Sequence, residues 1–134
     1  MISSKGKTSY NKEKGRFAEL HAAAFLCRKG CTILARNYRY QNGELDIVAK
    51  DPKGVILFVE VKSVFDSQVG NPASRVNGRK QFRIWKTAAH YLHFHGGQNQ
   101  KCRFDVISLD LRFGKFTIKH YPDAFVASRV IPEC

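Results

Sequence analysis

Glu60 and Lys62 stand two residues apart in a run that is otherwise apolar, Leu57-Phe58-Val59-Glu60-Val61-Lys62. Residues i and i+2 of a strand share a face, so a carboxylate and an ammonium emerge side by side from a segment with the composition of a core. Charged groups are rarely buried unless they are paired or bind a metal. The run from Gly43 to Ala49 places Glu44 and Asp46 in the same way. Three acids and a lysine on two neighbouring strands suit a divalent cation and chemistry on phosphate. Mg²⁺ or Mn²⁺ is held by a few carboxylate oxygens plus waters. Such an ion can ready an in-line nucleophile and relieve charge on the leaving oxygen, while a nearby lysine orients or activates the attacking water. The plainer reading is a surface strand of alternating charges. Ile56, Leu57, Phe58, Val59 and Val61 weigh against it, but spacing alone leaves both readings open.

The elements that must position these residues are legible in outline. Residues 1–10 read as a flexible basic tail, and 11–134 as a single domain. Asn11 can cap a helix that runs to about Lys29, with Gly30 as its stop. Between Phe17 and Cys27 this helix is apolar nearly all round. Phe17, Leu20, Ala24 and Cys27 form one stripe, with Ala22, Ala23 and Leu26 on the other side, so the helix is expected to be mostly buried. Glu19 lies beside the small alanines, and from the pattern alone a solvated glutamate is the commoner explanation.

Residues 31–40, 44–50 and 55–63 read as three strands. Asp51-Pro52-Lys53-Gly54 joins the last two, and the chemistry of Pro52-Lys53-Gly54 favours a three-residue hairpin loop. In that register Asp46 lies opposite Glu60 and Glu44 opposite Lys62, all four on one face. A two-residue loop would put Asp46 and Glu60 on opposite faces. Glu44 then reads as a structural ion-pair partner of Lys62 rather than a metal ligand. A second helix over 75–95 carries Arg75, Arg79, Arg83 and Lys86 along one face. Val76, Ile84, Trp85, Ala88, Tyr91 and Leu92 lie on the other, and Lys80, Gln81 and His90 on the edge between. Strands at 102–109 and 115–120 follow. The order α-β-β-β-α-β-β implies an α/β mixed sheet flanked by helices.

The chain has 134 residues and a net charge of +12, from 23 Lys and Arg against 11 Asp and Glu. That excess favours a polyanion, nucleic acid first and an anionic membrane surface second. Between Asp66 and Asp105 there is no acid but seven Lys or Arg. A helix face without acids points to phosphate contacts. Cys27, Cys31, Cys102 and Cys134 have no zinc-ligand spacing, and no secretory segment precedes them. With no apolar run long enough to span a bilayer, the expectation is a soluble cytoplasmic protein with ordinary thiols. His90, His93 and His95 lack a Cys or Asp to complete a zinc site. Asp105, on a core strand, reads as the partner of a neighbouring Arg or a backbone donor.

Six spaced motifs occur in order: Gly15-Arg16-Phe17-Ala18-Glu19, Arg36-Asn37-Tyr38-Arg39, Gly43-Glu44-Leu45-Asp46, Phe58-Val59-Glu60-Val61-Lys62, Arg79-Lys80-Gln81 and Arg103-Phe104-Asp105-Val106. Together they resemble the YraN-type family of small bacterial proteins, over about residues 13–120. That family in turn resembles the Holliday-junction-resolvase branch of the PD-(D/E)XK nucleases. The resemblance implies a restriction-endonuclease-like core and a metal-dependent endonuclease acting on structured or branched DNA. It implies Asp46 and Glu60 as metal ligands, Lys62 as the catalytic lysine, and Glu19 as the helix carboxylate that completes the site. Lys80 and Gln81 match polar positions that meet phosphate, beside Arg75, Arg79, Arg83 and Lys86. DNA is expected ahead of RNA, with a homodimer left open. The rival readings are a nucleic-acid-binding module that keeps the fold without turnover, and a basic adaptor for a protein or membrane partner.

Overall fold

The computed structural model describes residues 4–64, 78–97 and 99–125. Helix α1 spans Ser4–Arg28, and three strands follow: β1 Thr32–Tyr40, β2 Gly43–Lys50 and β3 Ile56–Val64. Helix α2 spans Gly78–His95, then β4 Cys102–Asp110, a 3-10 turn Arg112–Gly114, and β5 Thr117–Phe125. The strands form one mixed sheet in the order β1-β2-β3-β4-β5, with β3–β4 the parallel pair and the others antiparallel. This is the α-β-β-β-α-β-β order read from the sequence. Arg75 and Cys134 lie outside the described residues, while Cys27, Cys31 and Cys102 are free thiols.

Two apolar layers hold the helices on opposite faces of the sheet. On one, Ala18, Ala22 and Leu26 of α1 pack on Ile47, Ala49, Leu57, Val59, Ile107 and Leu109. On the other, Ile84, Ala88 and Tyr91 of α2 pack on Leu45, Val48, Phe58 and Val106. Helix α1 begins at Ser4 rather than Asn11 and continues through Gly6. It ends as expected. Gly30 is left-handed at φ +89°, the Gly30 N–H donates to Cys27 O, and the Cys31 N–H donates to Leu26 O. That is a Schellman stop.

The expected burial of α1 is not what the sheet provides. Phe17 is 46% and Leu20 55% exposed, and Ala24 and Cys27 are exposed too. A helix lying on one sheet face covers a single stripe. The small Ala18 and Ala22 allow the close approach, so the bulkier stripe turns outward. Phe17 meets the His21 ring at 4.3 Å and an edge of Phe116 at 5.9 Å between centroids.

The β2–β3 hairpin carries the predicted register, with Ile47 opposite Val59 and Lys50 opposite Ile56. Gly54 is left-handed at φ +90°. Asp51 Oδ1 accepts the N–H groups of Lys53 and Val55, each at 2.9 Å, which fixes the three-residue loop.

Candidate functional site

Two local irregularities make the site. Asn37 of β1 is left-handed, φ +54°, a conformation asparagine tolerates better than most residues. Ala35 and Tyr38, three residues apart, therefore both turn toward α2. On β2 the same break appears at Asp46, since Leu45 and Val48 both face α2 while Ile47 and Ala49 face α1. The β2–β3 ladder stops at Ile47–Val59. Beyond it, Asp46 Oδ2 accepts the Val61 N–H at 2.8 Å. A side chain thus takes the place of the next rung.

Asp46, Glu60, Glu44, Lys80 and Arg83 line a hollow of about 240 Å³ between β2, β3 and the start of α2. Glu60 is only 7% exposed. Its Oε1 meets Lys80 Nζ at 2.6 Å and Lys62 Nζ at 3.3 Å, so one buried carboxylate holds two ammonium groups. Lys80 sits on the core-side edge of α2, which lets it reach inward while Arg79 and Arg83 stay exposed. Gly43 permits this packing: a Cβ there would collide with Thr87 Oγ1 and come within 2.6 Å of the Arg83 carbonyl.

The other two acids stand at the neighbouring edge. Oriented to satisfy both carboxylates, the Asn37 amide donates to Glu19 Oε1 at 2.8 Å and to Glu44 Oε1 at 3.0 Å. Glu44 pairs with Arg39, its register partner on β1, at 3.6 Å. The expected Glu44–Lys62 ion pair is thereby corrected. The end of the ladder at Ile47–Val59 removes the register that would have set the two opposite each other, and Lys62 turns to Glu60. Glu19 does face the acidic cluster rather than open solvent.

The electrostatics record the crowding. Burial, then the Glu60 charge, push the Asp46 carboxyl up to about 8, with Glu19 and Glu44 adding to the shift and the Val61 N–H opposing it. Partial burial and Glu44 raise Glu19, against the pull of Arg36. Burial lowers Lys62, helped by the adjacent Lys80 and opposed by Glu60. Burial acts the same way on Lys80, but its bonds to Glu60 and Lys62 and the charges of Glu60 and Asp46 together outweigh it, and the shift is upward. The two lysines are therefore unlike: Lys80 holds its proton and Lys62 releases it more readily.

Among the described residues no three acid, histidine or cysteine side chains converge as one ligand group. Asp46 and Glu60 line one hollow, whereas Glu19 borders another, with Asn37 and Arg39. The donor chemistry still suits a hard divalent cation. Mg²⁺ takes one or two carboxylates with waters, and Asp46 with Glu60 offers such a pair of oxygen donors.

Of the other sequence candidates, Arg79 and Arg83 lie exposed on α2, and Gln81 is half-buried. Lys86 Nζ donates to Gln41 Oε1 at 2.8 Å. Asp105, fully buried, meets Arg103 at 3.0 Å and His120 at 2.7 Å and accepts the Asp123 N–H at 2.9 Å, the structural role expected of it. His90 is engaged through Nδ1 with the Tyr38 hydroxyl at 2.7 Å. Asn37 was not singled out from the sequence. Its signal was an asparagine between two arginine-bearing positions of a strand.

The profile of the uncharacterised protein family UPF0102 matches residues 18–109. The chain belongs to that family. A UPF0102 protein of Chlorobium chlorochromatii is 41% identical over 119 residues, covering 84% of this chain and 91% of the relative. One from Clostridium perfringens is 40% identical, covering 87% and 96%. Of solved structures, Pyrococcus furiosus SfsA in complex with Ca²⁺ is 14% identical with a TM-score of 0.35, covering 84% of this chain and 63% of that one. The UPF0102 match includes Glu19, Asp46, Glu60, Lys62 and α2. No helix among the described residues is long and apolar enough to cross a membrane.

Proposed function

We propose that this UPF0102 protein is a metal-dependent endonuclease that hydrolyses phosphodiester bonds in structured DNA. The single observation that carries the reading is Lys62 at 3.3 Å from the buried Glu60, a carboxylate that lines one hollow with Asp46 and Arg83. Asp46 and Glu60 would hold the ion, and Glu19 would act at one remove through Asn37. A bound Mg²⁺ or Mn²⁺ would supply charge neutralisation at the phosphate and leaving oxygen. Lys62, with its weakened hold on a proton, orients the attacking water and, once that proton has left, can take the water's proton at Nζ. Arg79 and Arg83 hold the flanking phosphates, and Lys80 pairs with Glu60 until substrate and metal arrive.

A second reading draws on the same pair of lysines. With two ammonium groups already on Glu60, the hollow could serve a nucleic-acid-binding protein without turnover. One experiment separates them. The purified protein is assayed with Mg²⁺ or Mn²⁺ on junction, flap, duplex and single-stranded DNA beside Glu60→Gln. Cleavage by the wild type, lost in the variant while binding is retained, is expected. Equal cleavage by both, or none by either with binding intact, ends the nuclease reading.

A further inference from the structure

Beyond the hairpin tip, Tyr40 of β1 and the middle of α2 border a second, shallow and open hollow of about 560 Å³, built from different material. Its walls are Tyr40, Trp85, His90, His93 and Phe94, with Lys86 at the rim. Tyr40 and His90 are stacked, ring centroids 4.0 Å apart and planes 17° from parallel. The bond from Tyr38 to His90 Nδ1 at 2.7 Å fixes that platform from beneath. Phe94 approaches His90 at 4.8 Å and is 64% exposed, a large ring left to solvent. Among the described residues no acid lines the hollow, and α2 carries none along its whole length.

An apolar occupant would use the rings and leave the cationic rim unanswered. A phosphate alone would use the rim and leave the rings wet. A flat base attached to a phosphate satisfies both, because aromatic faces stack on any base and cations hold the backbone. The two hollows adjoin: Asn42 and Gly43 border the carboxylate site, Tyr40 borders this one, and Arg83 and Lys86 of α2 are successive cations between them.

We propose that this aromatic hollow stacks an unpaired nucleobase of a strand whose backbone runs on into the carboxylate site. A base inside continuous duplex cannot reach it without leaving its stack. The preferred substrate therefore carries unpaired nucleotides beside the phosphate that is cut. That second part rests on the nuclease reading, whereas the stacking itself does not.

Trp85 is the only tryptophan in the chain and lies in the hollow, so its fluorescence reports occupancy. The intact protein is titrated in EDTA with a short mixed-sequence DNA strand, the same strand bearing abasic sites, and the blunt duplex. Quenching by the plain strand, with clearly weaker binding of the abasic strand, is expected. Tyr40→Ala and Phe94→Ala should each weaken single-strand binding about 5- to 150-fold, the usual range for a lost base–aromatic stack, and leave duplex binding unchanged. Phe94 is exposed enough for its truncation to spare the fold, and the abasic comparison needs no variant. Equal affinity for plain and abasic strands overturns the proposal. So does a loss by Phe94→Ala that is equal for single strand and duplex. Cleavage without stacking removes this inference alone, and stacking without cleavage removes the nuclease reading together with the substrate preference that rests on it, leaving the stacking.

Discussion

Asp46 accepts the backbone N–H of Val61 at 2.8 Å, so a carboxylate of one strand occupies the rung where its neighbour's ladder would have continued. The bond anchors Asp46 among other acids instead of letting it swing to solvent. Its stability cost should be measurable.

Below the ordinary aspartate value of 3.8, Asp46 is protonated whether the chain is folded or not, and it contributes no pH dependence. Between there and about 8 the folded chain keeps the proton and the unfolded chain does not. Stability therefore falls as pH rises through that window. Asp46→Asn keeps an acceptor for the Val61 N–H and removes the charge. Denaturant unfolding should show the variant about 0.5–2 kcal/mol more stable than wild type near the top of the window, a usual gain for relieving a functional-site conflict. The gain should vanish toward the acid end. A variant that is less stable near neutrality would contradict the crowding.

The two lysines on Glu60 should separate by effect. Lys80 competes with a metal for the carboxylate. Calorimetric titration of Lys80→Met with Mn²⁺ should show tighter binding by up to about fivefold, matching the ~1 kcal/mol ceiling of a half-exposed ion pair. Lys62→Met should abolish cleavage while leaving DNA affinity close to wild type. The reverse assignment of these phenotypes would exchange the roles given to the two residues.

Gly43→Ala tests the seat of α2. The added methyl meets Thr87 Oγ1 and the Arg83 carbonyl. Overpacking of this kind costs about 1–3 kcal/mol. A lowered Tm is expected, together with weaker metal binding, because Lys80 and Arg83 move with the helix. An unchanged Tm would mean the helix yields freely.

Arg79 and Arg83 are expected on phosphates and not on base edges. Each lost contact should reduce the slope of log affinity against log salt by roughly 0.7–0.9, and affinity should fall alike across sequences. Filter binding of the Arg79→Ala, Arg83→Ala double variant over a salt series measures both. An unchanged slope would place the backbone on another surface.

Local chemistry made the hairpin legible. Pro52, Lys53 and Gly54 could form a three-residue loop, and the loop fixed the register through Ile47 and Val59. The edge position of Lys80 was readable from its helical phase, but its contact with Glu60 was not, since that depends on how closely α2 settles at Gly43. The Glu44–Lys62 pairing failed because extending a register assumes an uninterrupted ladder. Asp46 interrupts it through a side-chain bond to the Val61 N–H, which no period-two pattern encodes. On α1 the apolar residues were identified correctly but the buried stripe was not. Hydrophobicity favours Phe17 and Leu20, whereas close packing on a sheet favours Ala18 and Ala22.

The parallel β3–β4 pair imposes an order of events. Antiparallel neighbours close through short turns, while a parallel pair waits for a long crossover. Strands β1 to β3 can thus gather Glu44, Asp46 and Glu60 early, with Arg39 as counter-ion to Glu44 and Lys62 to Glu60. Lys80 travels on the crossover and arrives with the slow, non-local step. Part of the barrier to refolding is then the mutual repulsion of carboxylates awaiting their second lysine. Added salt or divalent cation should hasten the refolding limb in stopped-flow more than it slows unfolding. The arrangement read above as a place to bind metal would also set the tempo at which the chain assembles.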